Sequence, residues 1–556
     1  MNNFDYNNIT PFKWFVLENF PFIENDFEAI NNYRLFSKVV EYLNKVIDDM
    51  NAVGQQTENI TNAMTELQDY VNNYFDSLDI QEEVNNKLDK MVEDGTLLNL
   101  ISPILNELTE NVNNALNTIN NSEMKSIREK YYNNYKIYET PLLNDDFFKN
   151  VIVYRSNEKM NIDYFVNSSN FRVSGGNDIY ISPNGNDTSG DGTQNNPYKT
   201  VQKGITATTS GGTLHLMEGV YQRINTSINK NMNLIGEGIV ILTDSDDQVT
   251  WTQNVSYPNV YQITRSNISN KIIDIRNKNR GVYPLLNQVN SIEECNYNLN
   301  TYYYSDNILY VNIGEEVTIE KILVPYQREV PILHANPSNN ATDNVKVYMK
   351  NLTFIGGHKG CFTVYSQGNY TAYLYAEDCN LLYGGGLNNE YRDNGFTNQG
   401  AFSLLLNCKC NYSTKDGFNY TNKGSFVARG IEINCEASNN GLLMDDNTNN
   451  GSTAHMGSKI LRINGNYFNN KGSNVADVQQ NTVSYNFNCK AFDCEADGEV
   501  ILNSDFSCQQ AGTTMYLINC FAKGNSYNNL QCTSGSTMYL DNVSYDRQTG
   551  SGYIVI

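Results

Sequence analysis

Between Val345 and Tyr545 the chain repeats one short phrase eight times: two or three apolar residues, an Asn or Asp, then a small or apolar residue. The instances are YMKNLTF at Asn351, YAEDCNL at Asp378, LLLNCKC at Asn407, IEINCEA at Asn434, LRINGNY at Asn464, YNFNCKA at Asn488, YLINCFA at Asn519 and YLDNVSY at Asn542. They are spaced 27, 29, 27, 30, 24, 31 and 23 residues apart. One phrase at unequal spacing is what stacked coils with variable loops give, because a single coil cannot bury its own apolar side.

Reading down the columns sharpens this. One position after the Asn or Asp stand Leu352, Cys379, Cys408, Cys435, Gly465, Cys489, Cys520 and Val543. Three positions after stand Phe354, Leu381, Cys410, Ala437, Tyr467, Ala491, Ala522 and Tyr545. The position between is mostly polar: Thr353, Asn380, Lys409, Glu436, Asn466, Lys490, Phe521 and Ser544. That is strand alternation repeated coil after coil. The Asn/Asp column suits a bend whose side chain bonds backbone or its neighbour one coil away. The expected fold is mainly β, a right-handed single-stranded parallel β-helix. A β-sandwich with regularly spaced turns is the alternative.

A chain of 556 residues is too long for one compact core. A net charge of -22 argues against binding a phosphate backbone or an anionic membrane surface. No apolar run is long enough to span a membrane, and the first residues, MNNFDYNN, do not read as a signal peptide. Five of the 11 Cys fall in one inward column and Cys410 in the other, so stacked thiols filling a solenoid are expected rather than disulfides. Abundant Tyr and Asn suit carbohydrate, aromatic faces for sugar rings and amides for hydroxyls.

Residues 1–35 are Phe-rich and broken by Pro11 and Pro21, and read as a docking segment. From Phe36 to Leu78 a heptad stripe (Phe36, Val39, Leu43, Val46, Met50, Val53, Thr57, Ile60, Met64, Leu67, Val71, Tyr74, Leu78) is apolar at twelve of thirteen positions. An oligomeric α-helical coiled coil over 36–120 is expected; a long helix packed within its own chain is the alternative. Residues 121–176 read as a neck or linker. Over 177–344 a lid (Asn177–Ile205) opens the β-helix, and the alternation YYYSDNILYVNI signals an inserted antiparallel element. The main β-helix then fills 345–556.

Two blocks are similar to known families. ISPNGNDTSGDGTQNNPYKTVQKGI resembles the opening of pectate-lyase-like β-helix proteins. FKWFVLENFPFIENDF through VNNYFDSLDIQEEVNNKLDKMVEDGTL resembles the N-terminal segment of tail proteins from phages of low-GC Gram-positive bacteria. KDGFNY, NNGSTAHMG and GSNVADV resemble blocks of β-helical tail spikes of that group. The resemblance implies a homotrimeric spike held in the virion through its N-terminus by other tail proteins, made in the host cytoplasm and acting at the host surface. It implies binding, and in some members cleavage, of a cell-wall polysaccharide or teichoic acid.

Glycoside hydrolysis needs two carboxyls astride the scissile bond, one protonated and one charged. Asp416, Asp445, Asp446 and Asp477 are the candidate acids, with Asp416, Asp445 and Asp477 on successive coils and so expected along one edge. His455 in the Gly-rich loop GSTAHMG is the candidate for catalysis or substrate contact. Glu436, Lys409, Lys490 and Lys459 are candidate substrate-binding residues; Glu436 between Lys409 and Lys490 reads equally as a surface ion-pair ladder. Lys459 and Arg462 leave a lyase open. No cofactor is expected, with Ca2+ at Asp445–Asp446–Asn447 the alternative. The alternatives for function are a purely adhesive tail fibre and a secreted bacterial polysaccharide lyase.

Overall fold

The computed structural model describes residues 135–137, 142, 145–156, 162–166, 168 and 171–556, apart from 247–248, 269–270, 327–329, 339–340, 387–392, 444–448 and 496–502. The docking segment and the coiled coil lie outside the described residues.

Each repeated phrase is two strands joined at its Asn or Asp, as in Val345–Lys350 and Thr353–Ile355 on either side of Asn351. All eight of these residues take left-handed backbone, φ between 51° and 56°. Asn and Asp are the non-glycine residues that tolerate it. The same side chains couple the coils: the Nδ2 of Asn407 donates to Asp378 Oδ1 (3.0 Å), Asn434 to Asn407 (3.0 Å), Asn464 to Asn434 (3.1 Å) and Asn488 to Asn464 (3.1 Å). The column therefore both bends the chain and, from Asp378 onward, ties each coil to the last.

Three parallel sheets result, a single-stranded parallel β-helix. The first has ten strands, from Thr226–Ile228 to Gln548–Gly550. The second stacks Val345–Lys350, Ala372–Glu377 and their successors in register. The third stacks Thr353–Ile355, Asn380–Leu382 and theirs. The two apolar columns read from the sequence point into the lumen, where Leu352, Phe354, Cys379, Leu381 and Cys408 are buried. All 11 cysteines are buried free thiols.

The helix Val201–Ala207 closes the N-terminal end of the lumen. Thr200 Oγ1 caps it by accepting from Lys203 N (3.2 Å), and Asp187 holds the approach by accepting from the backbone N–H of Lys199 (2.7 Å) and Thr200 (3.0 Å). A Cβ at Gly204 would lie 2.6 Å from Leu214 Cδ1 and 2.7 Å from Ile181 Cγ2, so glycine lets the helix seat on these side chains without displacing them.

In the insert Tyr261–Thr264, Thr301–Ser305 and Ile308–Asn312 pair antiparallel, Asn287–Gln288 joins in parallel at one edge, and Ile263, Leu309 and Val311 lie in the insert's own core. Asp306 and Asn307, both at positive φ (55° and 61°), make its tight hairpin. The buried Lys271 ammonium pins the insert to the solenoid by donating to the carbonyls of Tyr383 and Gly385.

Within the stretch read as a neck, Val151–Ser156 and Ile162–Val166 pair antiparallel and pack with Phe147, Phe148 and Phe171 across the outer face of the second sheet. We call this segment the strap.

Candidate functional site

Successive strands of the first sheet begin after the same pattern: Asn394-Gly395-Phe396, Asp416-Gly417-Phe418 and Asn450-Gly451-Ser452. The glycine is forced by close approach, since a Cβ at Gly417 would lie 2.6 Å from the Gly451 carbonyl and one at Gly451 2.4 Å from that of Asn474. Phe396, Phe418 and Ser452 turn inward and are buried. Alternation then turns Thr397, Asn419 and Thr453 outward, in register with Ala476, Ser507 and Gln531. A second outward column holds Tyr365, Gln399, Thr421, His455, Val478 and Gln509. The first column is recessed: Asn419 is 7% and Thr453 5% exposed although both face away from the lumen. The sheet thus presents a trough with a small, mostly polar floor.

Asp416 and His455 meet in this trough through Asn419. Asn419 Nδ2 donates to Asp416 Oδ2 (2.7 Å), so its Oδ1 is turned to His455 Nε2 at 3.2 Å. That carbonyl oxygen only accepts, which places a proton on His455 Nε2. Burial lowers the pKa of His455 and favours the neutral ring, against the pull of Asp416 and a hydrogen bond to Gln479. Burial pushes the Asp416 carboxyl up, against hydrogen bonds from Asn450 and Asn419. Asp393, one coil back, is likewise raised by burial, and Lys415 and Lys359 oppose the shift. A neutral imidazole linked through Asn419 to a carboxyl of raised pKa is an arrangement that can accept or deliver a proton.

Asp416 also has a structural place. Asn394 Oδ1 accepts from Asp416 N (3.2 Å), Asp416 Oδ1 from Asn450 N (2.8 Å), and Asn450 Oδ1 from Ser473 N (2.8 Å). Each member bonds the residue three further on: Asn394 to Thr397, Asp416 to Asn419, Asn450 to Thr453.

The other predicted residues are not in the trough. Asp477 is corrected: it points into the lumen, fully buried, and pairs with the equally buried Arg462 (3.1 Å). A carboxylate with no exposed edge cannot reach a polymer. Arg462 also bonds Ser452 and Asn486 and lies 3.8 Å from Glu432, so its charge is spent inside. Lys409, Glu436 and Lys490 form one outward column of the third sheet, with Asn466 between the last two. Lys409 and Glu436 are 3.5 Å apart, a surface ion pair. Lys459 opens a strand of the second sheet. These four therefore share no face with His455. Asp445 and Asp446, and with them the Ca2+ alternative, lie outside the described residues.

Sequence reasoning passed over Asn419, Asp393, Lys415 and Gln479. The signal was the pattern DNGF, KDGF, NNGS, which aligns the starts of three strands and turns the residue after Phe or Ser outward.

No protein-family model matches the sequence, and no curated protein matches it. Among solved structures, a glycoside hydrolase is similar at 10% identity, TM-score 0.45, over 68% of this chain and 96% of its own. Pectate lyase Pel9A is similar at 11% identity, TM-score 0.35, over 69% and 80%. The tailspike protein gp49 from Pseudomonas phage LKA1 is similar at 9% identity, TM-score 0.23, over 64% and 77%. At these identities the likeness is one of fold alone, the parallel β-helix already seen in the strand order.

Proposed function

We propose that the protein is a phage tail spike that adsorbs to a cell-surface polysaccharide or wall teichoic acid and cleaves it in the trough of the first sheet. In this reading the solenoid is a homotrimer's glycan-binding arm, and the N-terminus mounts it on the virion. The observation that carries cleavage is the Asp416–Asn419–His455 chain on a recessed polar floor. His455 is the proton-transfer group that touches substrate. Asn419 and Asp416 are positioning residues that fix its tautomer. The resemblance of the N-terminal block to phage tail proteins supports the setting.

The test is incubation of the purified chain with wall teichoic acid or capsule of candidate hosts, with released oligomers as the readout. Wild type is expected to release them, and His455→Ala to bind without release. Binding by wild type with no release would leave the adhesive reading. A specific observation favours that second reading: Asp416 accepts the next coil's N–H just as Asn394 and Asn450 do.

A further inference from the structure

We propose that Cys508 and Cys532 are a redox-active dithiol, which a small oxidising disulfide closes to a disulfide that ties two coils of the lumen together. The two residues lie directly opposite each other on neighbouring strands of the first sheet, Ser504–Gln509 and Asn528–Thr533. In-register neighbours of a parallel sheet stand about 4.8 Å apart, inside the Cα span that a disulfide bridges. Both side chains point into the lumen and are fully buried. They share a hydrogen bond, so the two sulfurs already face one another.

Other thiols stack too, and what sets this pair apart is its place in the lumen. In its column Asp477 precedes Cys508 and Gly550 follows Cys532, so the next coil lays no side chain on the Cys532 sulfur. A Cβ on Gly552 would come within 3.2 Å of that sulfur, so the turn Gly550–Gly552 is what lies over it. The residues that follow are open: Ile554 and Val555 are 42% and 83% exposed. Local opening of this one turn therefore uncovers Cys532. By contrast Cys408 lies between Cys379 and Cys435, and Cys520 is followed one coil on by Val543, which packs on the core.

The pair also divides the chemical work. The hydrogen bond from the Cys508 thiol holds Cys532 below the ordinary thiol pKa, against burial, and the Ser536 hydroxyl, 3.4 Å from Cys532 Sγ, adds to it. The same bond and burial raise Cys508. Cys532 is therefore the attacking sulfur. Its thiolate attacks one sulfur of the oxidant, such as oxidised glutathione, and the oxidant's S–S bond breaks. One glutathione leaves and takes up the proton that Cys532 gave. The Cys508 sulfur then displaces the second glutathione, which takes the Cys508 proton. Two protein thiols are oxidised, and one small disulfide is reduced to two thiols. The dithiol persists in a reducing cytosol and closes outside one.

The experiment treats the full reduced chain with oxidised glutathione, quenches it with acid, alkylates the remaining thiols under denaturing conditions and maps the peptides by mass spectrometry. Two fewer thiols than the eleven of the reduced chain are expected, both in one cross-linked Cys508–Cys532 peptide. Dithiothreitol restores all eleven. C489A/C520A is expected to keep the link and C532A to lose it. Eleven thiols after treatment would overturn the inference. So would a cross-link between other cysteines, or a Cys532 that stops at the mixed disulfide with glutathione. The wild-type map decides by itself, so the test survives a variant that fails to fold.

Discussion

Asp477, Arg462 and Glu432 are charged side chains with no exposure at all, in a lumen otherwise filled by apolar residues, thiols and amides. Burial works against the Arg462 charge, and Asp477 and Glu432 more than restore it. Removing one partner of such a group costs about 3–5 kcal/mol, because the other charge stays buried and unpaired. Asp505 is different, since among the described residues only amides, a hydroxyl and a backbone N–H act on it. It accepts from Asn529 Nδ2 (2.8 Å), Asn474 Nδ2 (3.0 Å) and Ser526 Oγ, yet burial still pushes its carboxyl up from 3.8 to about 7. The folded chain thus holds this proton more tightly than the unfolded chain does. Its contribution to stability is full below pH 4 and is lost as pH rises toward 7, by at most about 4 kcal/mol. Asp505→Asn removes that slope. Melting temperatures of wild type and variant, followed from pH 5 to 8, should show wild type falling relative to the variant; parallel curves would refute this.

The corner column acts as an element, because its geometry runs through every coil and its side-chain hydrogen bonds link the coils from Asp378 to Asn542. Asn464 sits at φ 54°, donates to Asn434 and accepts from Asn488, each at 3.1 Å. Gly at this position keeps the backbone and loses the two bonds, about 0.5–1.5 kcal/mol each. Ala loses the bonds and adds left-handed strain of about 1–2 kcal/mol. Thermal unfolding should therefore rank wild type above Asn464→Gly and Gly above Ala; Ala equal to or above Gly would show that the turn is not what the column secures. This corner was legible because its phrase has fixed length: the residues one and three after the Asn must both face in. The first sheet was less legible because the loops leading to it vary. Phe396 follows Asp378 by 18 residues, Phe418 follows Asn407 by 11, and Ser452 follows Asn434 by 18. Counting from the corner therefore cannot set the phase there. That is why Asp416 and Asp477, at offsets of 9 and 13, were expected on one edge when one precedes its strand and the other lies within it, facing the lumen. His455 and Asp416 were found by residue type and loop context. Asn419, which joins them, looks like any other outward amide until the strands are aligned.

At the scale of the molecule the strap decides which faces are open. An outward column of the second sheet reads Tyr348, Tyr375, Leu404, Ile431, Leu461 and Tyr485, buried throughout. Beside it Ile433, Ile463, Phe487 and Ile518 are buried too. The strap covers them over most of the solenoid's length. Phe171 stacks on Tyr375 (4.7 Å between centroids), Asn434 Nδ2 donates to Tyr164 Oη (2.9 Å) and Asn488 Nδ2 to the Ile162 carbonyl (2.7 Å). Near the far end Arg155 Nη2 lies 3.6 Å from Asp541 Oδ2. In a solenoid each coil otherwise contacts only its neighbours, so end coils can fray without the middle noticing. A segment bound to early and late coils at once couples their unfolding, and each covered side chain contributes about 1.5–3 kcal/mol when kept from water. A chain beginning at Arg172 uncovers the whole stripe, an apolar patch far larger than soluble monomers expose. It should bind a hydrophobic dye strongly, associate in light scattering, and lose exchange protection first in the strand Thr537–Asp541, the last that the strap secures. If that shortened chain stayed monodisperse with the full chain's melting temperature, the stripe would have to be stable in water by itself, which ten buried apolar side chains facing outward do not allow.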